Sequence, residues 1–366
     1  MRLPDLSFLN VKSFERNRLR SFGEARLGAE TVTARPVRAY VEFTTKCPFA
    51  CPQCYRTVSV RRNQWMSADM TDQVLDELCR ELFPHLFYLV VCGTGELFAT
   101  EAWPRFLGAL DPFPCYKEIV TSGMMLGAQE VAALASRRVF VSVSMDGASQ
   151  RSYDLYRTGA SHAEVVAGID RYLAAAGGDR LKIIFTVMAG NVTEVPEIVT
   201  FCGERGIRNL DFGVLQITEP LVADEAVSYE NPDVRAVFQE AIARARRHRI
   251  NLVLPMGGRF LDPVPGSTRF AADAHPVRGA LRRALRGNPD HAYVDARRCA
   301  EPWHTVLVNV FGDMAPCSVR EPIGFLHRES FPSVWNGGAI RELRRELAAG
   351  RSPGRCATCS KNPAIV

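Results

Sequence analysis

From residue 37 to residue 255 the sequence keeps one rhythm: a short β-branched and aromatic run, a turn, then a stretch with apolar residues three and four apart. The β-like runs are VRAYVEF (37–43), LFYLVVCG (86–93), YKEIVTSG (116–123), RVFVSVSMDG (138–147), LKIIFTVMAG (181–190), RNLDFGVLQI (208–217) and the shorter NLVLP (251–255). Between them the period changes from two to 3.6. Residues 67–82 put Val74, Leu75, Leu78, Cys79 and Leu82 on one helical face. Helices are also expected near 102–110, 128–136, 194–205 and 233–248. A further one is opened by Ser161 and Glu164, a capping-box pair, and turns Val165, Val166, Ile169 and Leu173 inward. Six or more βα units in tandem require a parallel sheet with right-handed crossovers. An open doubly wound sheet and a full or partial βα barrel both satisfy the pattern. Either places functional groups at the carboxyl ends of the strands.

The rhythm divides the chain. Residues 1–38, polar and basic with scattered apolar positions, form an N-terminal extension; residues 39–255 carry the βα alternation. Residues 256–298, rich in Gly, Pro, Arg and Asp, read as a linker or insertion. In 299–366, TVLVNV (305–310), a Gly312-Asp313 turn and MAPC (314–317) predict a β-hairpin. The amphipathic AIRELRRELAA (339–349) predicts a helix capped by Gly350.

Cysteine usage narrows the chemistry. Eleven cysteines in a chain with no secretory signature argue for thiolate ligands over disulfides. Cys47, Cys51 and Cys54 follow the first strand in a C-x3-C-x2-C spacing, an odd number for disulfides and one short of a structural zinc. Three thiolates suit a cubane iron–sulfur cluster, each holding one iron and leaving the fourth open. Cys299, Cys317, Cys356 and Cys359 supply four more, and spacing alone permits zinc or a fully ligated [4Fe–4S] cluster. Cys79, Cys92, Cys115 and Cys202 remain. Cys79 and Cys115 read as core; Cys92 lies at the rim after the second strand, and Cys202 on the inward face of the helix at 194–205.

The motifs together resemble the radical S-adenosylmethionine (SAM) superfamily. C-x3-C-x2-C after a first barrel strand is that family's signature. CGTGELF (92–98) is similar to its GGE motif, with Gly95 and Glu96 matching and Thr94 in place of the first glycine. TSG (121–123) resembles TNG, with Ser122 for Asn. SMDG (144–147) followed by YRTG (156–159) resembles the S-x-D-G and R-G pair. The resemblance implies a partial (βα)6 barrel in which SAM chelates the open iron. It also implies that Glu96 receives the SAM ammonium, Ser144 the ribose and Arg157 the carboxylate. Tyr55, Gly95, Ser122, Asn191 and Leu215 are the other expected cofactor contacts. The C-terminal cysteines and hairpin resemble twitch, the short relative of SPASM, a small α+β (hairpin plus helix) domain holding one auxiliary [4Fe–4S] cluster.

Such an enzyme cleaves SAM with one electron to make a 5′-deoxyadenosyl radical, so a flavodoxin or ferredoxin is the expected electron donor. Only about 38 residues precede the first strand, too few for the precursor-recognition domain of many peptide-modifying members. On that ground the expected substrate is carbohydrate- or aminocyclitol-like, in antibiotic biosynthesis, with epimerisation using Cys92 or Cys202 as hydrogen donor. Oxidation of a secondary alcohol to a ketone and a peptide- or protein-modifying SPASM-type maturase are the alternatives. Gln216, Glu219 and the arginines of 276–298 are substrate-contact candidates. The charge is +5, and only five of the 45 basic residues are lysine, but no basic run is interleaved with aromatics, which argues against nucleic acid. No apolar run approaches a membrane span, so a cytoplasmic location is expected.

Overall fold

A computed structural model describes residues 13–215, 220–255, 261, 299–318 and 320–359. Most of the linker at 256–298, and the candidates Gln216, Glu219 and the arginines of 276–298, lie outside the described residues. Helix α1 (Ser13–Leu27) opens the chain and is followed by β1 (Arg38–Val41), α2 (Tyr55–Arg61) and α3 (Asp72–Glu81). The α3 helix begins where the Thr71 hydroxyl accepts from the Val74 N–H, a side-chain cap in the manner its sequence invites. The alternation continues through β2 (Tyr88–Val91), α4 (Trp103–Ala109), β3 (Tyr116–Thr121), α5 (Ala128–Ser136), β4 (Phe140–Ser144), α6 (Gln150–Tyr156) and α7 (His162–Ala176). It closes with β5 (Leu181–Val187), α8 (Val195–Glu204), β6 (Asn209–Val214), α9 (Pro232–His248) and β7 (Asn251–Val253). After residue 298 come α10 (Glu301–His304), β8 (Thr305–Val308), β9 (Asp313–Ala315), β10 (Gly324–Phe325), α11 (Phe331–Trp335) and α12 (Gly338–Ala348). The α/β expectation holds: the βα strands that pair do so in parallel, and antiparallel strand pairing occurs in the C-terminal hairpin region, with one isolated antiparallel bridge between Thr44 and Asp69.

Two compact units divide the chain, with the boundary inside β3. The first holds residues 1–46, 67–118 and 289–366. Its strand order is β10-β9-β8-β1-β2. Strand β8 pairs in parallel with β1, Arg38 opposite Thr305 and Val41 opposite Val308, so the hairpin continues the same sheet. The hairpin turn is built by Asn309, whose Oδ1 accepts from the N–H groups of Phe311 (3.0 Å) and Asp313 (2.9 Å). The second unit holds residues 47–66 and 119–288. Its strands β4-β5-β6-β7 are all parallel and in register, Ser144 opposite Ile184 and Val187 opposite Val214, so their carboxyl ends form one rim. Val141, Val143, Ile183, Phe185 and Leu210 are buried to 3% exposure or less, as strands covered on both faces require.

The polar N-terminal segment is structural. In the first unit, Ser21 of α1 donates to the Trp303 carbonyl (2.9 Å) and meets His304 Nδ1 at 2.8 Å. Trp303 Nε1 donates to the Ala29 carbonyl (2.8 Å). Asn336 pairs with both the N–H and the carbonyl of Val32 (3.0 and 2.9 Å). Arg344, fully buried, donates to the carbonyls of Pro302 (3.0 Å) and Glu30 (3.3 Å) and lies over the Trp335 ring. These contacts satisfy backbone groups of an irregular stretch that would otherwise be buried without partners.

His304 makes this junction acid-sensitive. Burial first, and Arg38 second, depress its pKa to about 3. The folded value lies below the unfolded one of about 6.5, so the unfolded chain binds the proton first. Stability is therefore full above pH 6.5 and falls as pH drops from 6.5 towards 3, by on the order of 1 kcal/mol per unit. Urea unfolding at pH 7.5 and pH 5.5 measures it. His304→Gln, still able to bond Ser21, should flatten that dependence by one proton.

Candidate active site

The cysteine loop is anchored at both of its ends by polar side chains. In the first unit Asp69 gathers the residues that lead into it: Thr44 Oγ1 donates to Asp69 at 2.6 Å, Lys46 Nζ at 2.8 Å and Thr100 Oγ1 at 2.7 Å. Burial would raise the Asp69 pKa, but these donors outweigh it and hold the carboxyl below its ordinary value. The GTGE turn after β2 closes on the same residues. The Glu96 N–H donates to the Lys46 carbonyl (2.8 Å), and a Cβ at Gly95 would collide with the Thr44 and Lys46 carbonyl groups. Gly95 is thus required by close backbone approach. Glu96 is 4% exposed.

Thr94, the departure from the glycine pattern, has a partner: its N–H and hydroxyl both donate to Glu42 Oε1, each at 2.5 Å. Glu42 follows β1 directly. Cys92 stands beside it at the end of β2, its N–H bonded to the Val41 carbonyl (3.1 Å). Burial, reinforced by the Glu42 carboxylate, pushes the Cys92 thiol up to about 12. Glu42 and Asp69 were not singled out by sequence. The only signal for Glu42 was an acid at the end of an apolar strand, where a parallel sheet places its chemistry.

In the second unit the loop reaches the rim of β4, β5 and β6. Gln53 Nε2 donates to Asp146 (3.0 Å), Arg157 Nη2 pairs with the same carboxylate (2.6 Å), and the Ala50 N–H donates to the Thr158 carbonyl (2.9 Å). Burial raises the Cys51 pKa while Arg157 pulls it down and neighbouring Cys54 pushes it up. Ser144 ends β4 half-buried, Tyr55 opens α2 at 57% exposure, and Ser122 is buried at the end of β3. Gly123, at φ +83°, makes the sharp turn after it.

Asn191 is fully buried and its amide is spent on the loop after β5: Oδ1 accepts from the Met188 N–H (2.7 Å), and Nδ2 donates to the carbonyls of Asp146 (3.0 Å) and Thr186 (2.9 Å). Leu215 packs with Tyr156 and Met188 as an apolar wall. Tyr156 in turn donates to Glu225 (2.7 Å).

Cys202 is placed elsewhere. It is completely buried near the carboxyl end of α8, its carbonyl accepting from the Ile207 N–H (2.9 Å) just before β6 begins. That is the amino end of the strand, so the fold does not bring Cys202 together with the rim residues. Burial drives its thiol far up. Cys115 is buried, and Cys79 is half-buried with its thiol directed at the Ala109 carbonyl (4.0 Å).

Within the first unit the C-terminal thiols lie within electrostatic reach of one another. Burial pushes Cys299 up to about 12, with Cys317 and Cys356 adding to it, and Cys356 is raised by burial and by Cys359. Arg320 donates to the Pro353 carbonyl (3.0 Å), and its charge pulls the Cys356 pKa down. Among the described residues no group of three or more His, Cys, Asp and Glu side chains is drawn into a single-ion cage. The donor sets nevertheless fit iron–sulfur clusters, being thiols only. At the loop, Arg157 Nε and Gln53 Oε1 are buried without a hydrogen-bond partner beside Cys51. The Nε is a donor suited to an anionic ligand, either SAM carboxylate or cluster sulfide.

Residues 299–360 match the SPASM family, an iron–sulfur cluster-binding domain. Over 339 residues the chain is 23% identical to the PqqA peptide cyclase of Rhodopseudomonas palustris, covering 89% of this chain and 79% of that one. It is 23% identical over 330 residues to the mycofactocin maturase MftC of Mycolicibacterium smegmatis, covering 88% and 75%. Among solved structures it shares a fold with Streptococcus suis SuiB bound to its precursor peptide SuiA. There the TM-score is 0.63 and the identity 12%, over all of this chain and 78% of SuiB. SuiB bound to S-adenosylmethionine matches with the same TM-score.

Proposed function

Because the chain is a radical SAM enzyme with a C-terminal SPASM iron–sulfur domain, we propose that it modifies a peptide, abstracting hydrogen from a C–H bond of a ribosomally made substrate. The observation that carries this reading is the likeness of nearly nine-tenths of the chain to a PqqA peptide cyclase and to a mycofactocin maturase. The expectation of a carbohydrate-like substrate rested on the short segment before β1, and it finds no support among these relatives; neither does epimerisation. In radical SAM SPASM enzymes the reaction uses SAM and [4Fe–4S] clusters, which supply the 5′-deoxyadenosyl radical when bound.

The protein's own residues align and shield. Cys47, Cys51 and Cys54 would hold the SAM-binding cluster and Cys299, Cys317, Cys356 and Cys359 the auxiliary one. Glu96 and Arg157 supply opposite charges for the amino and carboxylate ends of SAM. Leu215, Tyr156 and Met188 present an apolar wall against which an adenine can lie. Ser144 offers a hydroxyl at the rim. Such fixed positioning is what converts a free radical into a directed one. Cys92, at the carboxyl end of β2, is on this reading a better candidate hydrogen donor than Cys202, which lies at the amino end of β6.

The test is incubation of the anaerobically reconstituted, reduced protein with SAM and synthetic precursor peptides encoded beside its gene. The expected result is SAM-dependent 5′-deoxyadenosine together with a peptide lighter by two hydrogens or otherwise changed in mass. Turnover of a sugar or aminocyclitol, with every peptide unchanged, would overturn the reading.

A further inference from the structure

Alternate residues of β4, β5 and β6 point to opposite faces of the second unit's sheet. One set, which includes Val143, Ile183, Phe185 and Phe212, is buried to 3% exposure or less, and Phe212 meets Phe238 of α9 edge-on with ring centroids 5.6 Å apart. That is the helix-covered face. The register sets out the other face in rows. Ser142, Lys182 and Asn209 lie opposite one another and are buried. Ser144, Ile184 and Asp211 form the next row and Thr186 and Gly213 the last, all half-buried. This face is therefore largely polar, and it opens toward the carboxyl ends of its strands. Two of its features serve no evident purpose in folding. The Lys182 ammonium pairs with Asp211 Oδ2 at 3.0 Å, with the lysine side chain 10% exposed and the aspartate 29%. Burying such a pair carries a desolvation penalty that apolar residues of similar volume avoid. Gly213 stands two positions after Asp211 on the same face, nearer the rim. Beyond its chain neighbours, a Cβ there would meet nothing nearer than 3.9 Å, its φ is outside the left-handed region, and the pairing of Thr186 and Val187 with β6 is unbroken. Neither packing, backbone conformation nor a bulge calls for glycine, and a glycine inside a strand weakens it unless something must approach closely.

We propose that Asp211 is a specificity-determining residue of the substrate site: Lys182 holds one carboxylate oxygen, the other accepts from an N–H or O–H of the substrate, and Gly213 keeps the approach from the rim clear. Parallel βα sheets place their ligands at this end of the strands. Lys182 already balances the aspartate charge, so the matching chemistry is a neutral donor and not a second cation. A hydrogen bond to a carboxylate is stronger than one between neutral groups, and more so away from bulk water. The source of the donor rests on the peptide reading, under which it is an amide N–H of the precursor; the role of Asp211 does not.

The experiment is steady-state kinetics of the reconstituted full-length protein with SAM, a reductant and two sets of probes: the synthetic precursor peptides encoded beside its gene, and free sugars and aminocyclitols. Asp211→Asn should raise KM for the substrate about tenfold, the loss of one charge-assisted hydrogen bond. With kcat kept within about twofold, that pattern is lost binding and not lost chemistry. Gly213→Leu leaves the ion pair in place and should raise the same KM by about tenfold or more by blocking the approach; it carries the test if Asp211→Asn does not fold. KM for SAM should stay at the wild-type value in both. A wild-type substrate KM in the folded variants would overturn the proposal and leave the peptide reading standing. Turnover of an aminocyclitol in place of every peptide, with KM raised by the same substitutions, would do the reverse. A wild-type KM that climbs steeply with salt would identify a cationic ligand and overturn the neutral donor. A wild type that acts on neither set would overturn both.

Discussion

Replacing Cys51 by alanine is expected to reduce 5′-deoxyadenosine formation to background and to remove about four irons per chain, one [4Fe–4S] cluster. The loop offers three thiols, and a cluster that must leave one iron free for SAM has none to spare. The contacts around Cys51 sharpen the prediction. It is the loop thiol whose pKa the Arg157 guanidinium pulls down, and Arg157 is tied to Asp146 and through it to Gln53. Iron analysis and chromatography of the SAM cleavage products measure the outcome. Cys356→Ala provides the contrast: it should also cost about four irons, but SAM cleavage should persist because the loop is intact. Cys202→Ala should change neither quantity. A Cys51→Ala protein that still cleaves SAM would mean the loop does not hold the reacting cluster.

The second large effect concerns stability. Trp335→Ala is expected to destabilise the protein by about 3–5 kcal/mol, the range for truncating a large buried aromatic. Trp335 is fully buried, donates its Nε1–H to the Ala34 carbonyl (3.0 Å), and lies under the Arg344 guanidinium at 4.6 Å. Removing the ring opens a cavity, strands a buried carbonyl and exposes one side of a buried cation. The loss is a large share of the roughly 5–15 kcal/mol that holds a typical domain together. Trp335→Phe separates the contributions: it keeps most of the ring and should lose only about 1–3 kcal/mol for the stranded carbonyl. Urea unfolding followed by circular dichroism reads both. A Trp335→Ala midpoint equal to wild type would show that the N-terminal segment and α12 do not depend on this contact.

Much of this was legible in the sequence, for physical reasons. Strands such as LKIIFTV and helices such as DQVLDELCRE announce themselves because burial on two faces or on one stripe dictates residue type at each step. The hairpin was legible because Gly312 adopts φ +83°, a conformation few other residues accept. Non-local choices were hidden. Nothing in TVLV says that it will lie parallel to RAYV, since either strand could pair with any neighbour of like period. The α1 helix escaped notice because its polar residues, Asn17, Ser21 and Glu24, are buried against partners far along the chain. Asp146 was concealed for the opposite reason: an Asp-Gly pair is so common in turns that its buried carboxylate is invisible without Gln53, Arg157 and Thr186 around it. At the site, the cysteines and GTGE were legible because their spacing is set by what they must hold. The Glu42–Thr94 pair was not, because it joins two loops that only the sheet brings together.

The pairing of β8 with β1 also has a bearing on how the molecule is made. During synthesis β1 leaves the ribosome long before its partner β8, from which residues 42–304 separate it. Until then one edge of β1 has its N–H and C=O groups open, beside the loop that must capture iron and sulfur. Ser21 and Trp303, which bond across 282 positions, cannot meet before that moment either. The first unit therefore closes only after residues 303–308 have been made, and contacts of such long sequence separation give it a high contact order, which slows folding. A shortened chain lacking the last sixty or so residues would lose more than an auxiliary site: it would leave the first strand unguarded and prone to pair with another copy.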